Sequence, residues 1–128
     1  MNQKPKSIYY VTEKDLYFNT LSYYQTGEFP KALSDDILKM AKRIVGSKRF
    51  DSCSDLLREE MVSRAYNHAC CAIILKKYSF KHGSRVYSWL SRVLINECLK
   101  AIEEEQKRKN AFQAYAQSCV GVEQIELV

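Results

Sequence analysis

Apolar side chains recur three or four positions apart along most of this 128-residue chain, which is the spacing of one helix face. The pattern predicts four helices, over about residues 15–26, 34–45, 54–77 and 85–109. Only four glycines and two prolines interrupt it, and no pair of segments alternates as paired strands do. We therefore expect an all-α fold: a compact helical domain over residues 1–111, with a short C-terminal tail over residues 112–128.

Polar residues and glycines mark the predicted helix boundaries. Thr12 is expected to cap the first helix, with an acidic residue at capping-box spacing. Ser34 and Ser54 are expected to cap the second and third helices in the same way. Gly83 marks the break before the fourth helix. That helix can continue past residue 109, and Gly121 is expected to end all regular structure.

The apolar stripe of each predicted helix identifies candidate core residues. In the first helix they are Leu16, Phe18, Leu21 and Tyr24. In the third helix they are Leu56, Leu57, Met61, Ala65, His68, Ala69, Ala72 and Leu75. In the fourth helix they are Val86, Leu90, Val93, Leu94, Leu99 and Ile102. A histidine on such a stripe is more often packed against its neighbours than used as a ligand.

Cysteine usage and hydropathy indicate a cellular setting. The five cysteines are odd in number and contain no C-x-x-C pair, so we expect free, mostly buried thiols in a reducing compartment. A metal site is the minor alternative. No apolar run approaches the ~18 residues of a membrane span, and no signal peptide is visible. A cytoplasmic location without membrane association is expected.

Signatures of catalysis are absent from the sequence. It contains no Gly-rich phosphate loop, no G-x-S-x-G and no H-E-x-x-H. The two histidines, His68 and His82, fall on different predicted elements. The acidic run 103–105 has no converging partner in the sequence. We expect no enzymatic activity, no bound metal and no cofactor.

Charge is distributed unevenly along the chain. The formal net charge is +5, yet residues 61–96 contain no Asp or Glu. The basic residues of this block are Arg64, Lys76, Lys77, Lys81, Arg85 and Arg92. A carboxylate-free basic field favours phosphate binding, and a merely solvated basic face is the alternative.

Aromatic side chains are interleaved with these cations. They are Tyr78, Phe80, Tyr87 and Trp89. Proteins that hold single-stranded nucleic acid use this combination, because cations follow the phosphates while aromatic faces stack on unpaired bases. The alternative is that Tyr78, Phe80 and Trp89 belong to the hydrophobic core.

The order of residues in this block resembles region 2 of bacterial sigma factors. Residues 77–83, KYSFKHG, are similar to the lysine–aromatic–X–aromatic–basic–basic–glycine run that leads into the promoter-reading helix of that family. Residues 86–89, VYSW, stand where the family has two aromatics separated by small or hydroxyl residues. Closer similarity to the late sigma factors of T-even-like phages lies in residues 10–16, 41–50, 60–62 and 89–109. The resemblance covers most of residues 10–109.

The resemblance implies a sigma factor for late phage transcription, in the cytoplasm of an infected bacterial host. Such a protein binds core RNA polymerase and recognises and helps to melt an A/T-rich, minus-ten-like promoter element. Its docking helix would lie on the clamp helices of the largest polymerase subunit. The implied polymerase contacts are Glu60, Arg64, Asn67 and His68.

The resemblance also implies a set of DNA contacts. Trp89 falls where the family stacks a flipped adenine. The other implied contacts are Lys77, Tyr78, Lys81, Arg85, Tyr87, Arg92 and Asn96. Arg92 and Val93 replace the tryptophan pair of housekeeping sigma factors, and Val86 replaces the first aromatic of the promoter helix. With fewer stacking platforms, melting is expected to need help from the polymerase.

The last five residues, QIELV, resemble the Q-L-x-L-F peptide that binds sliding clamps. Late sigma factors of T-even-like phages use a C-terminal peptide in this way. Gln124 would hydrogen-bond in the clamp groove, while Ile125, Leu127 and Val128 would fill an apolar pocket. Chance similarity in an unstructured tail is the alternative. A sliding clamp and a separate coactivator are therefore further candidate partners.

Two other functions remain open at this point. One is a single-stranded nucleic-acid-binding protein that acts without polymerase. The other is a polymerase-binding transcription inhibitor, which would occupy the sigma-binding surface and lower transcription.

Overall fold

Four α-helices and two short 3-10 turns make up the described part of the chain, as a computed structural model shows. It describes the backbone of residues 10–127 and the side chains of that stretch, except those of residue 82 and residues 120–127. The helices are α1 (Glu13–Thr26), α2 (Lys31–Val45), α3 (Asp55–Ile74) and α4 (Val86–Leu127). The 3-10 turns are Lys48–Phe50 and Phe80–His82. The predicted all-α class is confirmed, and the described residues contain no strand.

Hydrogen bonds and backbone angles confirm most of the predicted helix boundaries. The Thr12 hydroxyl accepts a hydrogen bond from the backbone N–H of Asp15 at 3.1 Å, and so caps α1. The Ser54 hydroxyl caps α3 by accepting from the N–H of Leu57 at 3.2 Å. Gly83 has a φ of 70°, a left-handed conformation that a side chain would strain, and it closes the turn before α4.

The predicted cap of α2 is wrong. The helix begins at Lys31, with Pro30 at the N-cap position and a φ of −65°. Proline's fixed φ suits the start of a helix, so the chain becomes helical one turn earlier than Ser34 suggests. Ser34 lies within the helix, where its hydroxyl oxygen is 2.5 Å from that of Tyr66 on α3.

Helix α4 packs on α3 and α2 through one face, the buried face. Its buried side chains are Val86, Leu90, Leu94, Cys98 and Ala101. They follow each other at intervals of four and three residues, which keeps them on one face. The core that they meet includes Leu16 of α1, Ile37 of α2 and Met61 of α3, all fully buried.

Five predicted core residues lie at the surface instead, and the first of them, Phe18 of α1, is 58% exposed. Leu99 is 42% exposed, because the buried face of α4 continues from Leu94 to Cys98 and Leu99 points about 100° away from Cys98. Leu56, in the first turn of α3, is 79% exposed, and Leu75, which follows the last residue of α3, is 66% exposed. His68 is also exposed, so it is not the packed residue that its position suggested.

The fourth helix is longer than its predicted end at residue 109, since it continues to Leu127. No proline interrupts this stretch, and a single glycine inside a helix costs only about 1 kcal/mol, so Gly121 does not end it. Residues 107–115 are all exposed, which places this part of α4 beyond the packed core. The domain boundary at residues 111–112 stays a prediction.

Candidate nucleic-acid interface

The start of α4 is held by a carboxylate from the start of α1. Glu13 accepts hydrogen bonds from the backbone N–H groups of Val86 at 2.9 Å and Tyr87 at 2.8 Å. These N–H groups have no partner inside the helix, and the positive end of the helix dipole favours an anion there. Because Glu13 already occupies this position, a nucleic acid near α4 must be bound by side chains.

Helix α1 also fixes the segment that joins α3 to α4. The Tyr23 hydroxyl donates to the carbonyl of Ile74 at 3.0 Å, and the Tyr24 hydroxyl donates to the carbonyl of Tyr78 at 2.8 Å. The Ile74 carbonyl is one of the last of α3, which the helix leaves without partners, and the Tyr78 carbonyl belongs to the segment that follows α3. The connecting segment is therefore tied to α1 before it enters α4.

Four of the predicted DNA contacts lie on one face of α4. We call Arg85, Trp89, Arg92 and Asn96 the α4 stripe; Arg85 immediately precedes the helix. At about 100° per residue, these positions fall within an arc of about 60°. The stripe lies opposite the buried face. Arg85, Arg92 and Asn96 are exposed, and Trp89 is half-buried. The chain therefore presents two cations, an amide and an indole together.

An aromatic cluster supports one side of Trp89. We define it as Tyr17, Phe18, Tyr24, Tyr78, Phe80 and Trp89. Phe80 stands at its centre, with ring centroids 4.9 Å from Tyr78 and 5.2 Å from both Tyr17 and Tyr24, in edge-to-face geometry. The Trp89 ring is tilted against Tyr78 at 5.3 Å. Aromatic pairs in such geometry contribute about 0.5–1.5 kcal/mol each beyond the burial of their area.

Tyr78 is part of the core, so its prediction as a DNA-stacking residue is wrong. It is 5% exposed, and its hydroxyl donates to the carbonyl of Ser84. Burial raises the pKa of this hydroxyl. Phe80 and Trp89 are only partly buried against the same cluster. The core alternative therefore holds for Tyr78, and the accessible faces belong to its neighbours.

Helix α1 adds two aromatic residues that sequence reasoning did not assign to this site. Tyr17 is 41% exposed and Phe18 is 58% exposed, with ring centroids 6.1 Å apart in edge-to-face contact. Phe18 was predicted to face the core. Adjacent helix positions diverge by about 100°, and Leu16 and Thr20 are the buried residues here, so Phe18 faces outward. Two adjacent residues of a helix do not both face its core, so the Tyr17–Phe18 pair in the sequence indicates that one of these aromatic residues is at the surface.

Lysines surround the aromatic cluster. Lys77 and Lys81, both predicted DNA contacts, are exposed on the α3–α4 connection. Lys76 adopts a positive φ of 55°, and its ammonium lies 5.8 Å from the centroid of the Tyr24 ring. A cation at this distance from a ring face is attracted by the ring quadrupole. Cations and aromatic rings thus lie together at this end of α4.

The predicted contact Tyr87 points away from the α4 stripe. Its side chain is half-buried, and its hydroxyl accepts a hydrogen bond from Arg43 Nη1 at 3.2 Å. Arg43 belongs to α2, so Tyr87 lies between α4 and α2. A contact from Tyr87 to nucleic acid would be made on that side of the helix.

Arg64 is not the exposed polymerase contact that was predicted. It bridges α3 and α4, with Nη2 3.0 Å from Glu97 Oε1 and Nη1 2.5 Å from Glu104 Oε2. The hydrogen bond from Arg64 lowers the pKa of Glu104. Arg64 thereby offsets part of the negative charge of Glu97 and Glu104, two of the carboxylates that follow the basic block.

The remaining predicted polymerase contacts lie at the surface of α3. Glu60, Asn67 and His68 are exposed. Glu60 lies 3.7 Å from Arg108 of α4, and His68 Nδ1 lies 3.8 Å from Glu97 Oε2. Docking through these residues stays a prediction.

The C-terminal clamp-binding motif falls outside what the structure describes. Val128 is not described, and neither are the side chains of Gln124, Ile125 and Leu127. The interaction of this pentapeptide with a sliding clamp therefore stays a prediction.

All five cysteines are free thiols, and only Cys98 is buried. Its burial raises the pKa to about 11. Within the part of the chain that is described, no three His, Cys, Asp or Glu side chains converge on a possible metal site. None of the helices over residues 10–127 combines the length and apolar character that crossing a membrane requires.

Comparison with protein-family models, with curated proteins and with solved structures found no match to this chain. The candidate interface therefore rests on its own geometry: the α4 stripe, the aromatic cluster and the lysines beside it.

Proposed function

We propose that this protein is a transcription initiation subunit of the sigma type, which binds core RNA polymerase and helps to open an A/T-rich, minus-ten-like element. The α4 stripe carries the proposal, because it presents an indole between two arginines and an amide. The order of motifs that resembles the late sigma factors of T-even-like phages supports a late phage promoter as the target of this surface. The site of action is then the cytoplasm of an infected bacterium.

Each residue of the stripe has a proposed task in the captured state. The exposed face of Trp89 stacks on an unpaired base, a contact of about 1–3 kcal/mol. Arg85 and Arg92 bind phosphates on either side of that base, and the Asn96 amide reads a base edge. Lys77 and Lys81 add positive field at the same end of α4. The protein makes and breaks no covalent bond.

The energy of base capture explains why a polymerase partner is proposed. Extruding one base costs a few kcal/mol, about as much as one stacking contact returns. Trp89 is the one aromatic residue of the stripe, and Arg92 and Val93 stand where paired tryptophans would stack, so the chain has few stacking platforms to offset the cost of a longer melted segment. Docking of Glu60, Asn67 and His68 on the clamp helices would supply the remaining binding energy. A sliding clamp and a coactivator are further proposed partners.

Transcription by core polymerase tests this function directly. On a supercoiled or pre-melted A/T-rich promoter, a specific start is expected only when the protein is added. Trp89→Ala is expected to keep polymerase binding and to lose promoter opening, measured by the reactivity of unpaired thymines. Arg92→Ala is a second variant at an exposed position, where packing is unaffected.

The control is Tyr115→Ala, which removes a 69% exposed aromatic from α4 far from the stripe. Its promoter opening should equal that of the unmodified protein. The absence of any protein-dependent start on all templates would refute the proposal.

A second candidate is a single-stranded nucleic-acid-binding protein that needs no polymerase. It is favoured by the fact that cations and aromatic faces lie together within this one chain. It predicts tight, salt-sensitive binding of oligonucleotides by the free protein and no co-purification of polymerase. A polymerase-binding inhibitor would instead bind core enzyme and lower transcription from every promoter.

A further inference from the structure

A groove runs between α2, the 3-10 turn that follows it, and α4. Its volume is about 250 Å³. The lining side chains are Met40, Ile44 and Ile95, with Arg43, Arg49 and Tyr87. We call this the basic groove. Its apolar residues come from α2 and α4, and its two arginines come from the α2 side.

The charge of the groove is positive throughout. No carboxylate lines it. Lys42 and Lys48 each directly precede one of its two arginines, and all four cations are exposed. Over the residues that the structure describes, none of the four is in an ion pair. The nearby carboxylate of Asp51 lies 3.8 Å from Arg58 Nη2, so it has its own cation. Charge complementarity therefore favours an anionic occupant.

Arg43 is held in place for such a ligand. Its Nη1 donates to the Tyr87 hydroxyl at 3.2 Å, while the backbone of Tyr87 is itself bound by Glu13. This bond leaves the other N–H groups of the guanidinium for a ligand. An arginine that is positioned in advance can bind a phosphate through two parallel hydrogen bonds.

The basic groove adjoins the α4 stripe. Ile95, on the wall of the groove, directly precedes Asn96 and lies one turn from Arg92. Residues three apart are neighbours on a helix surface. Tyr87 enters the groove on the α2 side of α4, away from the stripe, so the two surfaces meet through Ile95 and Arg92. One nucleic-acid strand can therefore lie across both surfaces without leaving α4.

We infer that the basic groove binds the phosphodiester backbone of the strand whose bases meet the α4 stripe. The inference rests on the proposed function for the identity of that strand. Arg43 and Arg49 contact its phosphates, and Ile44 and Ile95 contact the carbon atoms of its sugars. The groove adds affinity without sequence preference, because phosphate and sugar are the same at every position.

Salt-dependent binding of a labelled, single-stranded A/T-rich oligonucleotide to the full-length chain tests the inference. Each lost phosphate contact should lower the slope of log K against log [salt] by about 0.7. Arg49→Ala and Arg43→Ala should each lower affinity and this slope, for any base composition. The matched control is Lys31→Ala at the opposite end of α2, where the slope should not change.

The outcomes separate this inference from the proposed function. If Trp89→Ala weakens binding while both arginine variants keep the original slope, the groove is not a phosphate site and the stripe stands. If the unmodified chain binds no oligonucleotide, both fail. If a glutamate-rich peptide binds in an Arg49-dependent way and the oligonucleotide does not, the groove serves an acidic protein partner and the inference is overturned. Far-UV circular dichroism of each variant confirms that it is folded.

Discussion

Oε1 of Glu13 lies 2.9 Å from the backbone nitrogen of Val86, so the first residue of α1 caps the first turn of α4. The other carboxylate oxygen accepts from Tyr87 at 2.8 Å. The anion compensates the positive end of the helix dipole while satisfying two N–H groups. Because Trp89 follows within one turn, the orientation of the α4 stripe depends on α1.

Removing this cap should lower stability. Glu13→Ala is expected to lower the free energy of unfolding by about 0.5–2 kcal/mol, the range of other N-cap losses. Glu13→Gln keeps an acceptor but not the charge, so its loss should be smaller. Urea denaturation followed by circular dichroism measures both. Glu28→Ala, at an exposed glutamate after α1, is the control. Equal urea midpoints for Glu13→Ala and the unmodified protein would contradict the capping role.

The ion pairs of Arg64 should make stability depend on acid pH. Glu97 is 12% exposed, and Arg64→Ala removes its cation, so the free energy of unfolding should fall by about 1–2 kcal/mol. The hydrogen bond from Arg64 also lowers the pKa of Glu104. A lowered pKa means stability that is present near neutral pH and is lost as pH falls through that pKa.

The measurement is the urea midpoint between about pH 7 and pH 3. The unmodified protein should lose more stability on acidification than Arg64→Ala does. Arg108→Ala is the control, because its side chain is 62% exposed and surface pairs contribute little. Parallel pH profiles for the unmodified protein and Arg64→Ala would show that these pairs do not stabilise the fold.

Cys98 should make stability depend on alkaline pH. Burial raises the pKa of its thiol to about 11. In the unfolded chain the thiol loses its proton near pH 9, so the unfolded state gains stability over the folded state above that pH. The contribution of Cys98 is complete below about pH 9 and is lost by about pH 11, to an extent of at most about 2.7 kcal/mol. Cys98→Ala should lack this loss.

Thiol labelling checks the burial on which that argument rests. At about pH 8, a thiol reagent should modify the exposed Cys71 rapidly and Cys98 only in denaturant. Rapid modification of Cys98 in the folded protein would show that the α3–α4 contact opens there.

Phe18 should contribute to binding but not to stability. It is 58% exposed, so Phe18→Ala should leave the urea midpoint unchanged. If bases reach the aromatic cluster, affinity for a single-stranded oligonucleotide should fall about fivefold to tenfold, equivalent to about 1 kcal/mol. Phe112→Ala, at a 71% exposed position of α4, is the matched control. Identical affinities for the two variants would confine stacking to Trp89.

Local signals in the sequence were sufficient for most helix boundaries. Thr12, Ser54 and Gly83 act through their own hydroxyl or backbone within three residues, so spacing alone identifies them. Ser34 failed because Pro30, four positions earlier, also suits a helix start. Cys98 and Leu99 are adjacent and both apolar, so the sequence does not indicate which of the two is buried. The packing of α4 against α3 buries Cys98.

The site was only partly predictable, because its supports are distant in sequence. The stripe positions Arg85, Trp89, Arg92 and Asn96 share a face by helix periodicity alone, which the sequence contains. Contacts from Glu13 to Val86 and from Tyr17 to Phe80 join residues more than sixty positions apart, and no local pattern indicates them. Arg64 looked like a surface cation for the same reason, since its partners lie on another helix.

One continuous helix carries both the stripe and the exposed rings of Phe112 and Tyr115. Continuity fixes their rotational phase: at about 100° per residue, Phe112 lies about half a turn around the helix axis from Arg85. Phe112 is therefore approached from the side of α4 opposite Arg85, and Tyr115 from a side about 120° away from Arg85. Inserting one residue after Asn110 would rotate both rings by about 100° around the axis while leaving the stripe in place.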